Sequence, residues 1–342
     1  MKRRDDEWVS LLIVIGATLL VAFGLIALVG SNLMVAVSSF LRGIFGSSYA
    51  MSEVLVRATP LMLAALGVSI GFKTGFTNLG AEGQLYMGAI AITATALVFP
   101  GLPPIVMIPL VILVGFAAGG AWALVPGFLK ARFSISEVIM TIMLNYVAIN
   151  LVGILVRTGL KDPAYPYPMS PILPESANFM QLLPPTRIHA GLVMALLMVI
   201  AVHLLVFRSR LGFEMRAVGL NGRACHCSGI QVNRATILSA IAGGGLAGLA
   251  GVSEIAGLHH RLIEGISPGF GYVAIIVALL GKNHPFGIVF ASIGIAALQI
   301  GSMAMQRTAG VPTSIASIVM GALILFLVIR DSRQSIAILE GV

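Results

Sequence analysis

Residues 71–99 read GFKTGFTNLGAEGQLYMGAIAITATALVF. From Leu85 onward the run is apolar enough to sit in lipid, but its start carries Gly71, Gly75, Gly80 and Gly83, with Asn78, Glu82 and Gln84 among them. A regular buried helix does not select that composition. Glycine admits non-helical φ/ψ, and amide or carboxyl side chains can satisfy the backbone groups that a break sets free. Irregular backbone at membrane depth is tolerated where protein buries it or where it lines a cavity. The stretch therefore predicts a discontinuous helix beside a path through a membrane. The plainer reading is a loop dipping into the headgroups, and Glu82, expensive in lipid, argues for the first.

Composition agrees that lipid is the solvent. Of 342 residues, 58% are hydrophobic and 10% charged, with a mean hydropathy of +1.01. A soluble domain is about 45–50% apolar and about 25% charged. A soluble enzyme, a disordered chain and a secreted disulfide scaffold are excluded, the last because Cys225 and Cys227 are the only cysteines. The net charge of +8 is read as loop charge against a membrane, not as a nucleic-acid surface.

A crossing helix needs about 20 mainly apolar residues. Ten runs qualify: 9–30, 53–72, 75–99, 104–125, 136–156, 188–207, 234–256, 270–282, 285–306 and 311–330. The expected fold is an all-α polytopic bundle of one transmembrane domain over 1–342. No alternating strand pattern supports a barrel. The run 270–282 is short enough for a half-helix or re-entrant segment. The stretch 31–50, apolar but interrupted by Ser38, Ser39 and Arg42, is expected to lie in the interface. Lys2, Arg3 and Arg4 precede a first run too long for a signal-peptide core, and Asp5, Asp6 and Glu7 intervene, so 9–30 is expected to stay as a span. Alternating from an inside N-terminus puts 14 of the 21 Lys and Arg on the inner side, which predicts both termini cytoplasmic.

Two hydrophilic loops remain. The outer one, 157–187, holds seven prolines with Tyr165 and Tyr167 between them. It reads equally as a docking or gating surface and as a connection kept stiff. The inner one, 208–233, reads RSRLGFEMRAVGLNGRACHCSGIQVN. Asn221 can cap a short helix over 222–228 and Gly229 can end it. That helix is either an amphipathic linker on the headgroups or a coupling helix seated in a cytoplasmic partner. A metal at Cys225, His226 and Cys227 is disfavoured, because cysteines two apart on a helix face nearly opposite ways and further ligands are lacking.

A second irregular element, GISPGFGY (265–272), precedes the short run ending in GKNHP (281–285). Paired interrupted segments are the best sequence pointer to a transport site. Asn145, Asn150, Glu254 and Gln299 are polar groups within spans, and interhelical hydrogen bonding is the ordinary role for each. Glycine spacing at 67/71, 115/119 and 244/248 fits close helix packing. The chain has no G-x-x-x-x-G-K-[ST], no H-E-x-x-H and no G-x-S-x-G, so no catalytic residue, no metal and no cofactor of its own is expected.

The segment Met215–Asn221 through Gly229-Ile230 resembles the coupling segment of permease subunits of bacterial ABC importers. NLGAEGQ (78–84), LKARFSISEVIMTIMLNY (129–146) and VALLGKNHPFG (277–287) are similar to the nucleoside and simple-sugar branch of the branched-chain amino acid and simple-sugar permeases. The resemblance covers about 60–330. It implies a bacterial inner-membrane importer subunit for nucleosides or related sugars, with Mg-ATP hydrolysed on a separate ATP-binding subunit. It also implies a second permease, homologous but different, and an extracytoplasmic solute-binding protein meeting 157–187 and 258–269. Coupling falls on Arg216, Gly219, Asn221, Arg223, Ala224, Gly229 and Ile230. For the path, Tyr146, Phe270 and Tyr272 could stack a solute, and Asn78, Glu82, Gln84, Asn145 and Gln299 could contact it. Where the family usually carries alanines, this chain has Cys225, His226 and Cys227, which should not disturb docking. The competing reading is a carrier driven by an ion gradient through Glu82 or Glu254. It is weakened because these residues are expected near opposite membrane faces.

Overall fold

In the computed structural model the described residues are 2–323, 325, 326 and 329, with the side chains of 2–12 and 15 left aside. They form twelve α-helices and no strand. In order these are α1 (Lys2–Leu28), α2 (Leu33–Phe45), α3 (Ser48–Thr74), α4 (Ala81–Val98), α5 (Pro104–Phe133) and α6 (Glu137–Leu155). Then follow α7 (Gly191–Arg208), α8 (Arg210–Cys227), α9 (Val232–Glu254), α10 (Phe270–Leu280), α11 (Pro285–Ala309) and α12 (Ser314–Leu323). Six of them, α3, α5, α6, α7, α9 and α11, are long and apolar enough to cross a membrane by length and composition. Of the predicted span 311–330, residues 324, 327, 328 and 330 lie outside the described residues.

Each departure from the expected spans has a local cause. The run 75–99 is helical only from Ala81, because the glycine-rich start is non-helical. The run 104–125 continues to Phe133, through Pro109 and Pro126, and ends at Ser134 with φ 56°. Prolines are tolerated inside membrane helices, where neighbours satisfy the freed carbonyls. The run 188–207 starts at Gly191, because Gln181 and His189 pair in an isolated bridge just before it. The inner loop is largely helical from Arg210, where the Ser209 hydroxyl accepts from the Gly212 amide at 3.0 Å.

The chain forms two compact units, Met1–Val54 with Gly294–Val342, and Leu55–Ile293. In the first, Ile26, Ala36, Met305, Val311, Ile315 and Val319 make the core. Asn32 caps α2, its side chain accepting from the Met34 and Val35 amides at 3.0 and 3.3 Å.

The second unit is built round α9, whose glycines meet three neighbours backbone to backbone. A Cβ on Gly67 of α3 would stand 2.2 Å from the Gly243 carbonyl oxygen, and one on Gly88 of α4 2.1 Å from that of Gly248. A Cβ on Gly248 would stand 2.4 Å from the Gly115 oxygen of α5. Lipid supplies no hydrophobic drive between helices, so close van der Waals approach holds them. Gly248→Leu is therefore expected to lower the detergent-extracted complex's thermal midpoint by the equivalent of about 3 kcal/mol or more, since backbone cannot yield as a side chain does. An unchanged midpoint would show that the α5–α9 contact is dispensable.

Candidate translocation junction and coupling helix

The break between α3 and α4 is a tied segment. Gly75 turns with φ 74°, and Phe76, fully buried, donates its amide to the Gly71 carbonyl at 2.9 Å. The Lys130 ammonium of α5 donates to the Gly75 carbonyl at 2.6 Å and to Glu137 of α6 at 2.5 Å. Glu137 also accepts from the Thr77 amide at 3.2 Å. Asn145 of α6 donates to the Leu79 carbonyl and accepts from the Gly83 amide, both at 2.8 Å. The amides of Asn78 and Gln84 bond each other reciprocally at 3.0 Å, and Asn78 also accepts from the Gly80 amide at 2.9 Å. The freed backbone is thus satisfied by side chains from α5 and α6 and by Asn78 of the segment itself.

The second irregular element meets the first at this point. Ser267 accepts from the Phe270 amide at 2.9 Å, Gly269 takes φ 91°, and α10 begins. The buried Glu82 carboxylate accepts from the Gly271 amide at 2.6 Å. A Cβ on Gly271 would fall 2.1 Å from the Glu82 nitrogen and 2.4 Å from its Cα. Two helix N-termini, those of α4 and α10, therefore converge on one carboxylate, and the positive ends of both helices favour an anion there. The 11 residues of α10 rise about 16 Å, half of a hydrocarbon core of about 30 Å. Glu82 consequently lies about one α10 length from the 281–284 turn.

The other predicted path residues are placed unevenly. Phe270 is buried under the Arg57 guanidinium, 5.0 Å from the ring centroid. Tyr146 is 57% exposed and Tyr272 40%. Gln299 belongs to the unit that holds α1 and α2. Asn150 bonds the Tyr146 carbonyl of its own helix at 2.8 Å, and Glu254 lies 3.5 Å from His259. Lys130, Glu137 and Ser267 were not singled out by the sequence reading. The detectable signal was a carboxylate, Glu137, opening an apolar run seven residues after a lysine.

The 157–187 loop is strapped to the chain that follows α9. Ser170 and Leu262 exchange two hydrogen bonds at 2.9 Å, and the Leu173 and Phe179 amides donate to the His260 and Ala256 carbonyls at 2.8 Å. Arg157 pairs with Glu264 at 2.6 Å. Under this strap the buried His189 ring stacks on Phe179, 6.1 Å between centroids. Burial, and then the nearby His260, push its pKa down to about 4. The unfolded chain takes up a proton near pH 6.5 that the folded strap refuses, so stability is full above 6.5 and declines as pH falls towards 4. The slope is about 1.4 kcal/mol per pH unit. The protection of amides over 168–182, corrected for the pH dependence of intrinsic exchange, is expected to fall between pH 7.5 and pH 5 in the wild-type chain and far less in His189→Phe. An equal loss of protection in both would refute this role.

At the other end of the second unit, α8 kinks at Asn221, whose side chain accepts from the Ala224 amide at 3.1 Å. Gly229, φ 81°, ends it, with the Ile230 amide returning to the Cys225 carbonyl at 3.0 Å. Cys225 turns in towards Val218 and Ala235, while Cys227 is exposed, so the two sulfurs face different ways. Arg223 and Ala224 are exposed. Beside them lies a groove of about 590 Å³ between His226, Asn233, Arg234 and Leu238. Gly219 sits on the end of α3, where a Cβ would stand 2.2 Å from the Lys73 carbonyl oxygen.

Broken helices meeting inside a bundle of long apolar helices, joined to a kinked polar helix, define a multi-pass membrane permease. The chain belongs to the family described as branched-chain amino acid transport system permease component, whose model matches residues 50–328. It is similar to the guanosine ABC transporter permease of Bacillus subtilis, 36% identical over 90% of this chain and 89% of that one. It is also similar to the glucose ABC transporter permease of Haloferax volcanii, 34% identical over 83% and 77%. A third relative is the nucleoside ABC transporter permease of Lactococcus lactis, 32% identical over 92% and 87%.

Proposed function

We propose that this chain is a transmembrane subunit of an ATP-driven importer of the bacterial inner membrane and that its solute is a nucleoside. The observation that carries the solute class is the near full-length match to permeases named for guanosine and for nucleosides. The glucose permease among the relatives makes a simple sugar the second reading. The partners in this reading are an ATP-binding subunit holding Mg-ATP, a second and different homologous permease, and an extracytoplasmic binding protein on the surface of 157–187 and 258–269.

The geometry supports a mechanical route. A partner pushing on the kinked half of α8, at Arg223, Ala224 and the groove, moves Gly219 against Lys73–Gly75. That displacement passes along 75–80 to the Glu82–Gly271 junction. There Tyr146 and Tyr272 offer partly exposed rings that would stack a base as it passes, and Tyr272 brings a hydroxyl for the sugar. The ion-gradient alternative has little left to use. The burial of Glu82 would suit a coupling carboxylate, but one of its oxygens holds the Gly271 amide.

The test is purification of the tagged chain in mild detergent, identification of the co-purifying subunits by mass spectrometry, and reconstitution of that complex in vesicles. ATP-dependent entry of guanosine, competed by other nucleosides and not by glucose, is the expected result. Uptake that needs no ATPase subunit and collapses with an ionophore would sink the importer reading, and competition by glucose alone would move the solute to sugars. In the same vesicles Arg223→Glu is expected to cut uptake about tenfold, the equivalent of 1.4 kcal/mol of docking, with the thermal midpoint unchanged. Uptake at the wild-type rate would remove Arg223 from the coupling surface.

A further inference from the structure

A cluster of rings and cations that solute transport does not use lies where the end of α3, the end of α7, α8 and the 281–284 turn meet. His203 and Phe207 of α7, His284 of the turn and Phe286 of α11 stack with centroids 5.0 to 5.8 Å apart. Two cations reach into it: the Lys73 ammonium lies 5.1 Å and the Arg216 guanidinium 5.3 Å from the centroid of the same Phe207 ring. Among the described residues no carboxylate pairs with either. Glu214, one helical turn from Arg210, pairs with it at 3.1 Å, and Arg216 donates only to the Gly212 carbonyl of its own helix at 3.3 Å.

Two like charges gathered on one ring repel, and a cation–π contact of about 0.5–1 kcal/mol does not neutralise them. Burial, then His203 and Lys73, hold the His284 imidazole below its ordinary pKa, which favours its neutral form and adds no third cation. The His203 Nδ1 is buried without a hydrogen-bond partner among the described residues. The cluster therefore presents positive charge for which no carboxylate is supplied among the described residues.

Its position selects the acceptor. The rings stand at the last turn of α7 and the first turn of α11, where a spanning helix leaves the hydrocarbon and aromatic and basic residues collect at the interface. From there Leu204 and Ile200 on α7, and Phe286 and Phe290 on α11, are exposed at four-residue intervals, giving each helix an apolar outward strip. Basic pockets between spanning helices at the membrane surface hold anionic lipid headgroups. We propose that Lys73 and Arg216, walled by Phe207, His203 and His284, hold the phosphodiester of an anionic phospholipid whose acyl chains run along α7 and α11. Because Arg216 is on α8 and Lys73 on α3, such a lipid ties the coupling helix to the bundle that it drives. The proposal is independent of which solute is carried.

The test uses the assembled complex in nanodiscs of phosphatidylglycerol mixed with phosphatidylcholine, followed by native mass spectrometry of the lipids retained on release. The wild-type complex is expected to keep phosphatidylglycerol in preference. Lys73→Gln with Arg216→Gln should lower that preference about thirtyfold, as removal of two basic groups from an anionic surface predicts, while Lys73→Arg keeps it. Equal retention of the two lipids by the wild-type complex, a measurement that needs no variant, overturns the proposal. So does displacement of the retained lipid by inorganic phosphate, which would mark a free-phosphate site. A double variant that keeps its lipid preference but loses the ATP-binding subunit overturns it as well, assigning the cations to acidic side chains of that partner.

Discussion

Gly271→Val is expected to abolish uptake while the complex still assembles. The valine Cβ would be driven against the nitrogen and Cα of Glu82, backbone atoms that cannot rotate away. Either α10 retreats from α4, breaking the 2.6 Å bond from the Gly271 amide to Glu82, or the 75–80 segment gives way with its whole network. Overpacking of this kind costs about 1–3 kcal/mol. Losing a buried bond to a charged acceptor costs a further amount of about 1.5–3 kcal/mol. A thermal midpoint lowered by several degrees, with solute uptake down by a factor of ~10² to ~10⁴ at that combined cost, is the expected pair of readings. Glu82→Gln separates the two causes. It keeps the shape and an acceptor but removes the charge facing two helix N-termini, so its effect should be smaller, about 1 kcal/mol. Full uptake in Gly271→Val would mean that the meeting of the two half-helices has no part in transport.

Gly219→Val should produce the second large effect, of a different kind. Gly219 lies on the surface helix, away from the junction, and its added Cβ would strike the Lys73 carbonyl oxygen 2.2 Å away. The strain falls on the contact that passes displacement from α8 to the broken segment. ATP hydrolysis by the reconstituted complex is expected to continue at a rate within about threefold of normal, a change under about 1 kcal/mol. Uptake per ATP should fall at least tenfold. A parallel loss of both activities would show that α8 has simply come away, and unchanged coupling would show that the push travels by another contact. Gly219→Ala, with the same Cβ and no branches, should lie between the wild type and valine.

The two variants bracket the same route from opposite ends. The Lys130–Glu137 pair lies between them, holding Gly75 and Thr77. Both groups are partly exposed, and such pairs alone contribute little, about 0–1 kcal/mol. Their value here is geometric, since they fix where the extended backbone leaves α3.

The apolar runs and their breaks were legible from residues alone, because lipid forces every spanning backbone to satisfy itself and leaves a helix as the default. The same rule made Gly71–Gln84 readable as a break, since four glycines and three polar side chains have no other use at that depth. Asn221 as a cap and Gly229 as a stop were legible too, being local chemistry within one turn. What the chain could not disclose without its tertiary structure was which distant group completes each break. Glu82 reads as a solute contact by type, but a bond to Gly271, 189 residues away, makes it the cap of another helix. Asn145 reads as an interhelical hydrogen-bonding group, but only the fold shows that its partners are the Leu79 carbonyl and the Gly83 amide. Arg216 reads as a surface contact for a partner, and packing turns it back onto Phe207. Local backbone preference and burial are written residue by residue. Partner choice among buried polar groups depends on where helices cross, and that is decided only when their glycine faces close on one another.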